Sequence, residues 1–314
     1  MKGLELAEGY FEDYGSTMVA GHFGAYHDRI AVGLVGEGSE CFGFDDDLSQ
    51  DHDWGPGFCL WLTSSDFEEF GVELQERYDA LPKSHGGFTR RVESPHAGKR
   101  TGVFEIKNFY RRFIRYDHVP AGLAEWRSLP ETYLATATNG RVFADPLGEF
   151  TAFRDGLLAF YPEDVRLKKL AARCASAGQT GQYNYKRSIT RGEPVAAHCA
   201  LSQFAEAAIS IIYLLNKRYR PFYKWMHRGM KDLPVLGPPC YGLFADLCAE
   251  ACQADSGVSV DRERIIQEIS ALIVAELVIE GLSDSESDFL LDHAHAVQAQ
   301  IEDPALRSLH VMME

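Results

Sequence analysis

The stretch Gly33–Pro56, GLVGEGSECFGFDDDLSQDHDWGP, decides how this chain is read. It begins inside an apolar run, RIAVGLV (Arg29–Val35), short and bounded by glycine, which predicts a buried strand. The turn Gly36-Glu37-Gly38-Ser39 follows. Glycine allows positive φ and lets a ligand come close to the backbone amides. Ser39 then stands where a short helix can start, with N–H groups suited to phosphate oxygens. Asp51 comes twelve residues after Ser39, and Asp53 two residues later. Residues two apart on a strand share a face, so Asp51 and Asp53 project together and His52 points the other way. Convergent carboxylates are what a hard cation such as Mg²⁺ takes, usually with substrate phosphates completing its shell. A pair of such ions about 3.5–4 Å apart can clamp the attacking and leaving oxygens of a phosphoryl transfer. Asp45, Asp46 and Asp47 are expected to face solvent and form turns. Trp54 is suited either to the core or to stacking on a base.

The chain has 314 residues, which at roughly 100–200 residues per domain suggests two domains. Hydrophobic residues make up 46% and charged residues 25%, the profile of an ordinary globular chain. The net charge of −15 argues against general DNA or RNA binding, which draws on a basic surface. An anionic substrate therefore needs metal ions or a local Lys/Arg cluster. The seven cysteines form no close metal pattern; Cys248 and Cys252 share a helical spacing, but the other half of a zinc site is missing. The odd cysteine count and the acidic start MKGLELAEGYFEDY, unlike a secretory leader, point to the cytoplasm. The longest apolar stretch, AAISIIYLL (Ala207–Leu215), is too short to span a bilayer, so no membrane partner is expected.

Along the chain, residues from about Lys2 to His22 predict a helix with Leu6, Tyr10 and Tyr14 on one side. Asp51–Thr63 predicts a second strand, bent or interrupted at Gly55-Pro56. Ser65 and Glu68 have capping-box spacing, so a helix is expected to open at Asp66. TGVFEIKNF (Thr101–Phe109) predicts a third strand, with Val103, Glu105 and Lys107 on one face. After Asp145-Pro146 helical periodicity takes over: Leu201, Phe204, Ala208, Ile211 and Leu215, then Ile266, Ile269, Ile273 and Leu277. Gly237–Pro239 and Asp255–Ser259 are breakers. The expected class is α+β: an α/β domain with a mixed sheet over residues 1–150, then a mostly helical domain over 151–314.

A dinucleotide fingerprint is excluded because Cys41 stands where its third glycine belongs, and there is no lysine loop of the Walker type. The combination of Gly-Ser, a gap of about a dozen residues and Asp-x-Asp resembles the nucleotidyltransferase superfamily that includes DNA polymerase beta. The string GEGSECFGFDDDLSQDHDWGP is similar to a family known in that superfamily only as a domain of unknown function. So are RVFADPLGEFTAFR, YPEDVRLKKLA, GQYNYKRSITRGE and LNKRYRPFYKW, so that the likeness runs from Gly3 to about Leu236.

The resemblance implies that Gly38 and Ser39 cradle a triphosphate and that Asp51 and Asp53 hold metal. Glu105 is the candidate third carboxylate, completing a metal site or taking the proton of the attacking hydroxyl. Lys224 first, then Lys186, with Arg187 beside it, are the candidates to reach the phosphates from the helical domain. The implied cofactor is Mg²⁺ or Mn²⁺ and the implied substrate is ATP or another nucleoside triphosphate. The implied reaction moves a nucleoside monophosphate to a hydroxyl and releases pyrophosphate. The acceptor is unidentified, a small molecule being favoured over a protein or an RNA end. The alternative is an inactive nucleotide-binding or regulatory protein of the same fold. One departure bears on that choice: Glu40 follows Ser39 where many relatives carry a basic residue, and Glu37 precedes it.

Overall fold

The computed structural model of the chain describes residues 1–50, 54–90, 98–249 and 261–314. They fall into two compact units, Met1–Ala121 with Leu129–Ala159, and Gly122–Ser128 with Phe160–Glu314. The class is α+β: the first unit carries a mixed four-stranded sheet among helices, and the second is helical.

The first unit opens with Gly3–Tyr10 (α1), a π-helical turn Phe11–Gly15, and Ser16–His22 (α2), joined without a break in helical backbone. Leu6 and Tyr10 are buried, and Tyr14 is half-buried with its ring edge-on to Tyr10. The predicted strands form as β1 (Ala31–Leu34) and β2 (Cys59–Leu62). β2 is shorter than the sequence suggested. Gly55 takes a φ of 147°, and hydrogen-bonded strand begins only at Cys59.

Helix α3 (Ser64–Asp79) is capped by Thr63, not by Ser65: the Thr63 hydroxyl accepts from the Asp66 N–H at 3.2 Å. Thr63 prevails because its hydroxyl also donates to the buried Asp66 carboxylate at 2.9 Å, which Arg29 neutralises. A small hairpin of β3 (Ser84–His85) and β4 (Phe88–Thr89) follows.

The third strand is β5 (Gly102–Glu105), and it ends four residues earlier than predicted, where α4 (Ile106–Ile114) begins. Ile106, Phe109, Tyr110, Phe113 and Ile114 are buried along one stripe of that helix. Their spacing of three and four residues is helical, and it overrides the strand-like alternation of the first few positions. Helix α5 (Leu123–Arg127) belongs to the second unit; α6 (Glu131–Thr138), β6 (Arg141–Ala144) and α7 (Glu149–Leu158) complete the first.

The sheet order is β5-β2-β1-β6, with β1 antiparallel to both neighbours and β2 parallel to β5. Every residue of β1 and β2 is buried, as expected of strands covered on both faces. One face packs Val32, Leu60, Leu62 and Val103 against Tyr10, Val19, Phe70, Leu74 and Tyr78. On the other, Trp61 stacks on Phe150 at 3.8 Å and meets Phe109 edge-on at 5.4 Å.

The second unit comprises α8 (Glu163–Ala177), a π-helical segment Gly178–Tyr185, α9 (Lys186–Thr190), α10 (Pro194–Leu215), α11 (Tyr223–Met230), α12 (Gly237–Cys248), α13 (Arg262–Ile279), α14 (Leu290–Ala299) and α15 (Pro304–Arg307). The periodic residues of α10 and α13 named from sequence are buried. The apolar stretch of α10 is part of a longer helix than its sequence suggested. With 22 residues, it is the one helix among the described residues long and apolar enough to cross a bilayer, yet 61% of its apolar window is buried within the protein. Gly237–Pro239 opens α12, proline being tolerated in a first turn. Cys248 is exposed at the end of that helix; Cys252 and the breaker Asp255–Ser259 lie outside the described residues.

Candidate functional site

The turn Gly36–Ser39 leaves the C-terminal end of β1. Gly36 and Gly38 take φ of 124° and 129°, a region closed in practice to other residues. The turn is braced from the α6–β6 connection. The Gly36 N–H donates to Asn139 Oδ1 at 2.9 Å, and Asn139 Nδ2 donates back to the Gly36 carbonyl at 2.8 Å. The Gly140 N–H donates to the Cys41 carbonyl at 2.7 Å, and Arg154 holds the Thr138 carbonyl at 2.7 Å. Ser39 is half-buried and precedes a short 3₁₀ turn, Glu40–Phe42. Its carbonyl accepts from the Phe44 N–H at 2.9 Å, while its hydroxyl makes no capping bond.

The acid flanking the turn is met by arginines that sequence reasoning overlooked. Arg100, two residues before β5, donates to the Glu37 carbonyl and lies 3.9 Å from the Glu40 carboxylate. Arg112 of α4 lies 3.4 Å from the Glu37 carboxylate and donates to the Lys99 carbonyl at 2.7 Å. Glu40 itself is 3% exposed. Its carboxylate is folded over Gly38, where a Cβ would stand 2.5 Å from a carboxylate oxygen. The signal available in sequence was the basic pair Lys99-Arg100 directly before a strand, together with the turn-forming dipeptide Asn139-Gly140.

One expectation nearby is corrected, and one left open is decided. Asp45 does not face solvent: it is 3% exposed and accepts from the Gly3 N–H at 2.7 Å and from Trp54 Nε1 at 3.3 Å, with Lys2 beside it at 3.6 Å. Trp54 is thereby committed to packing, edge-on to Phe88 at 4.9 Å. Asp46 does form a turn, its carboxylate accepting from the Ser49 N–H at 3.2 Å.

Glu105 is not where the sequence reading put it. Gly33 pairs with Cys59 and Ala31 with Trp61, so the N-terminal end of β2 meets the end of β1 that leads into the turn. β5 runs parallel to β2 with Gly102 beside Cys59 and Glu105 beside Leu62. Glu105 therefore sits at the far end of the sheet from Gly36–Ser39. There it accepts from Ser64 Oγ at 2.5 Å and from Asn108 Nδ2. The parallel register that carries Arg100 to the turn is what carries Glu105 away from it.

Asp51, His52 and Asp53 lie outside the described residues. Among the described residues no group of three or more His, Cys, Asp or Glu is placed to hold a metal. The oxygen donors of an Asp-x-Asp pair suit a hard divalent cation that takes its remaining ligands from phosphates and water.

Lys186, Arg187 and Lys224 belong to the second unit. Lys186 pairs with Glu263 at 3.2 Å and lines a polar cavity of about 310 Å³ with Gln182, Arg264 and Gln267. Arg187 covers the Tyr183 ring at 4.8 Å, and Lys224 the Trp225 ring at 5.4 Å. The three cations, on α9 and α11, thus have separate partners: one on α13, one in the π-helical segment and one on α11.

A family model described as "Domain of unknown function (DUF4037)" matches residues 126–226. Among solved structures, the chain is similar to a nucleotidyltransferase-like protein from Exiguobacterium sibiricum 255-15, at 12% identity and a TM-score of 0.35, over 88% of this chain and 81% of that one. No curated protein matches the chain.

Proposed function

We propose that the first unit is a metal-dependent nucleotidyltransferase site. It takes ATP or another nucleoside triphosphate with Mg²⁺ or Mn²⁺ and transfers the nucleoside monophosphate to a hydroxyl of an acceptor, a small molecule in preference to a protein or an RNA end. The observation that carries this reading is the braced glycine turn. Gly36 is held by both arms of Asn139, and Arg100 and Arg112 meet the acidic flank that otherwise repels a triphosphate.

Asp51 and Asp53 would hold the metal, which when bound neutralises phosphate charge and orients the phosphoryl group. Ser39 would give its hydroxyl to a phosphate oxygen, since it makes no capping bond. Arg100 would exchange the Glu40 carboxylate for phosphate oxygens, a planar guanidinium suiting either partner. The acceptor hydroxyl attacks the α-phosphorus and gives up its proton to solvent, the bond from that phosphorus to the α–β bridging oxygen breaks, and pyrophosphate leaves with the bridging oxygen. Such transfers depend mostly on positioning and charge neutralisation. Glu105 has no part in this scheme, its carboxylate being bonded to Ser64 and Asn108. Lys186, Arg187 and Lys224 remain proposed phosphate-binding residues, and we propose a cytoplasmic location.

A second reading, nucleotide binding or regulation without turnover, is favoured by the buried Glu40 carboxylate over Gly38. Two measurements separate them. Thermal shift against a panel of triphosphates, with and without Mg²⁺ or Mn²⁺, tests binding; Asp51→Asn and Asp53→Asn are expected to abolish the metal-dependent part. Pyrophosphate release with pooled metabolites, proteins and RNA tests turnover. Binding without release from any pool selects the second reading, and a shift that survives both substitutions overturns the site.

A further inference from the structure

The second unit holds a basic recess that the scheme above does not use. Its walls are Arg127 at the end of α5, Lys169 and Arg173 on α8, and Ser210 on α10, with the Tyr161 ring beside them. The Glu314 carboxylate fills it. Both terminal nitrogens of Arg173 grip that carboxylate, Nη2 at 3.0 Å from Oε2. Lys169 Nζ lies 3.7 Å from Oε2, and Arg127 Nη1 donates to the Glu314 main-chain oxygen at 2.7 Å.

Two features indicate a receptor that is built independently of its occupant. The Arg173 fork is aimed by Ser210, whose buried hydroxyl accepts from Nε at 3.1 Å. Lys169 is 3% exposed, rests 5.1 Å from the centre of the Tyr161 ring and donates to the Arg127 carbonyl at 3.3 Å. Neither arrangement involves residues 310–314. All five wall residues also fall within residues 126–226, the segment matched by the family model, whereas Glu314 lies outside it. A planar two-pronged guanidinium beside a buried ammonium matches the oxygens of a phosphate as well as those of a carboxylate.

We propose that this recess binds the phosphate group of a ligand, and that Glu314 holds the place of that group until it is displaced. The proposal stands apart from the nucleotidyltransferase reading and needs no metal.

The test uses the full chain and Glu314→Gln, titrated in magnesium-free buffer with inorganic phosphate, pyrophosphate, AMP and acetate at constant ionic strength. Binding is read from the indole N–H resonance of Trp126, next to Arg127, and from the melting temperature. Removing the competing carboxylate is expected to tighten phosphate binding by about tenfold or more, since apparent affinity scales with the fraction of receptor that is open. Adding Arg173→Lys to Glu314→Gln, which keeps the charge and loses the fork, is expected to reverse that gain. Glu314→Asp, with a shorter reach, should move affinity the same way by a smaller factor if the glutamine variant does not fold. Binding of inorganic phosphate and pyrophosphate but not AMP assigns a free anion; binding of AMP assigns a nucleotide or nucleic-acid phosphate. Equal affinities in the parent and Glu314 variants, no binding by folded protein, or acetate binding as tightly as phosphate overturns the proposal and leaves the recess a structural clasp.

Discussion

Asn139 and Gly36 exchange two hydrogen bonds, amide to amide, at 2.9 and 2.8 Å across 103 positions of sequence. A side chain here imitates a strand neighbour and fixes the first residue of the turn. Asn139→Ala removes both partners of a buried glycine amide. It is expected to lower stability by about 2–3 kcal/mol, given roughly 1 kcal/mol per bond plus the cost of unmet groups. Denaturant unfolding gives the loss, and faster amide exchange at Gly36 localises it. Asn139→Asp keeps an acceptor for the Gly36 N–H but no donor for its carbonyl, and should fall between.

The two glycines flanking the 3₁₀ turn should respond differently to a side chain. At Gly38, φ is 129° and a Cβ would run into the Glu40 carboxylate. Gly43 has φ of 71° and ψ of 15°, with nothing within 4 Å of a Cβ. Gly38→Ala is expected to cost about 1–3 kcal/mol or to push Glu40 aside. Gly43→Asn should cost under about 1 kcal/mol, because asparagine tolerates the left-handed region. Thermal melts of the two variants side by side check the contrast.

If the aspartate pair binds metal as proposed, Glu105→Gln should leave metal-dependent triphosphate stabilisation intact, because the register of β5 holds position 105 at the other end of the sheet. The change should instead weaken the Ser64 and Asn108 contacts, at a cost of about 1 kcal/mol. Loss of the metal-dependent shift in Glu105→Gln would return that carboxylate to the site.

Lys168 is wholly buried, donating to Gln298 and to the His310 and Val311 carbonyls, and burial pulls its pKa down from 10.5 to about 8, with Arg127 adding to the effect. Between about pH 8 and 10.5 the unfolded chain holds a proton that the folded chain has released. Stability relative to Lys168→Met should therefore rise through that window, by up to about 1.4 kcal/mol per pH unit, and stay flat below it. Urea midpoints of both proteins from pH 7 to pH 10.5 measure the difference.

The sequence made the apolar skeleton legible. β1 and β2 were short continuous apolar runs, and the stripes of α10 and α13 repeated at three and four residues. The end of β5 was missed because VFEIKN alternates like a strand before Phe109, Tyr110 and Phe113 reveal the helical period. The glycine turn was visible as a motif. Its supports were not, because Asn139, Arg100 and Arg112 reach it only through strand pairing and helix return, over 62 positions or more between Arg100 and Gly38. Glu105 failed for the same reason: its residue type was right, but only the parallel register says which end of the sheet it occupies. Lys169 lay in a motif noticed for its likeness alone and Arg173 just beyond it, and the residue both meet, Glu314, is more than a hundred positions away.

The wide turn at Phe11–Gly15 has a consequence of its own. Leu6, Ala7 and Tyr10 are buried before it, and Met18 and Val19 after it. At roughly 100° of rotation per residue, an unbroken α-helix would point those two groups about 120° apart. A π-helical turn absorbs close to one residue of that winding, so Tyr10 before it packs in the same core as Met18 and Val19 after it. Shortening this loop of helix by one residue should then convert it to regular α-helix with the hydrophobic seam still aligned, whereas lengthening it by one should swing Met18 and Val19 into water.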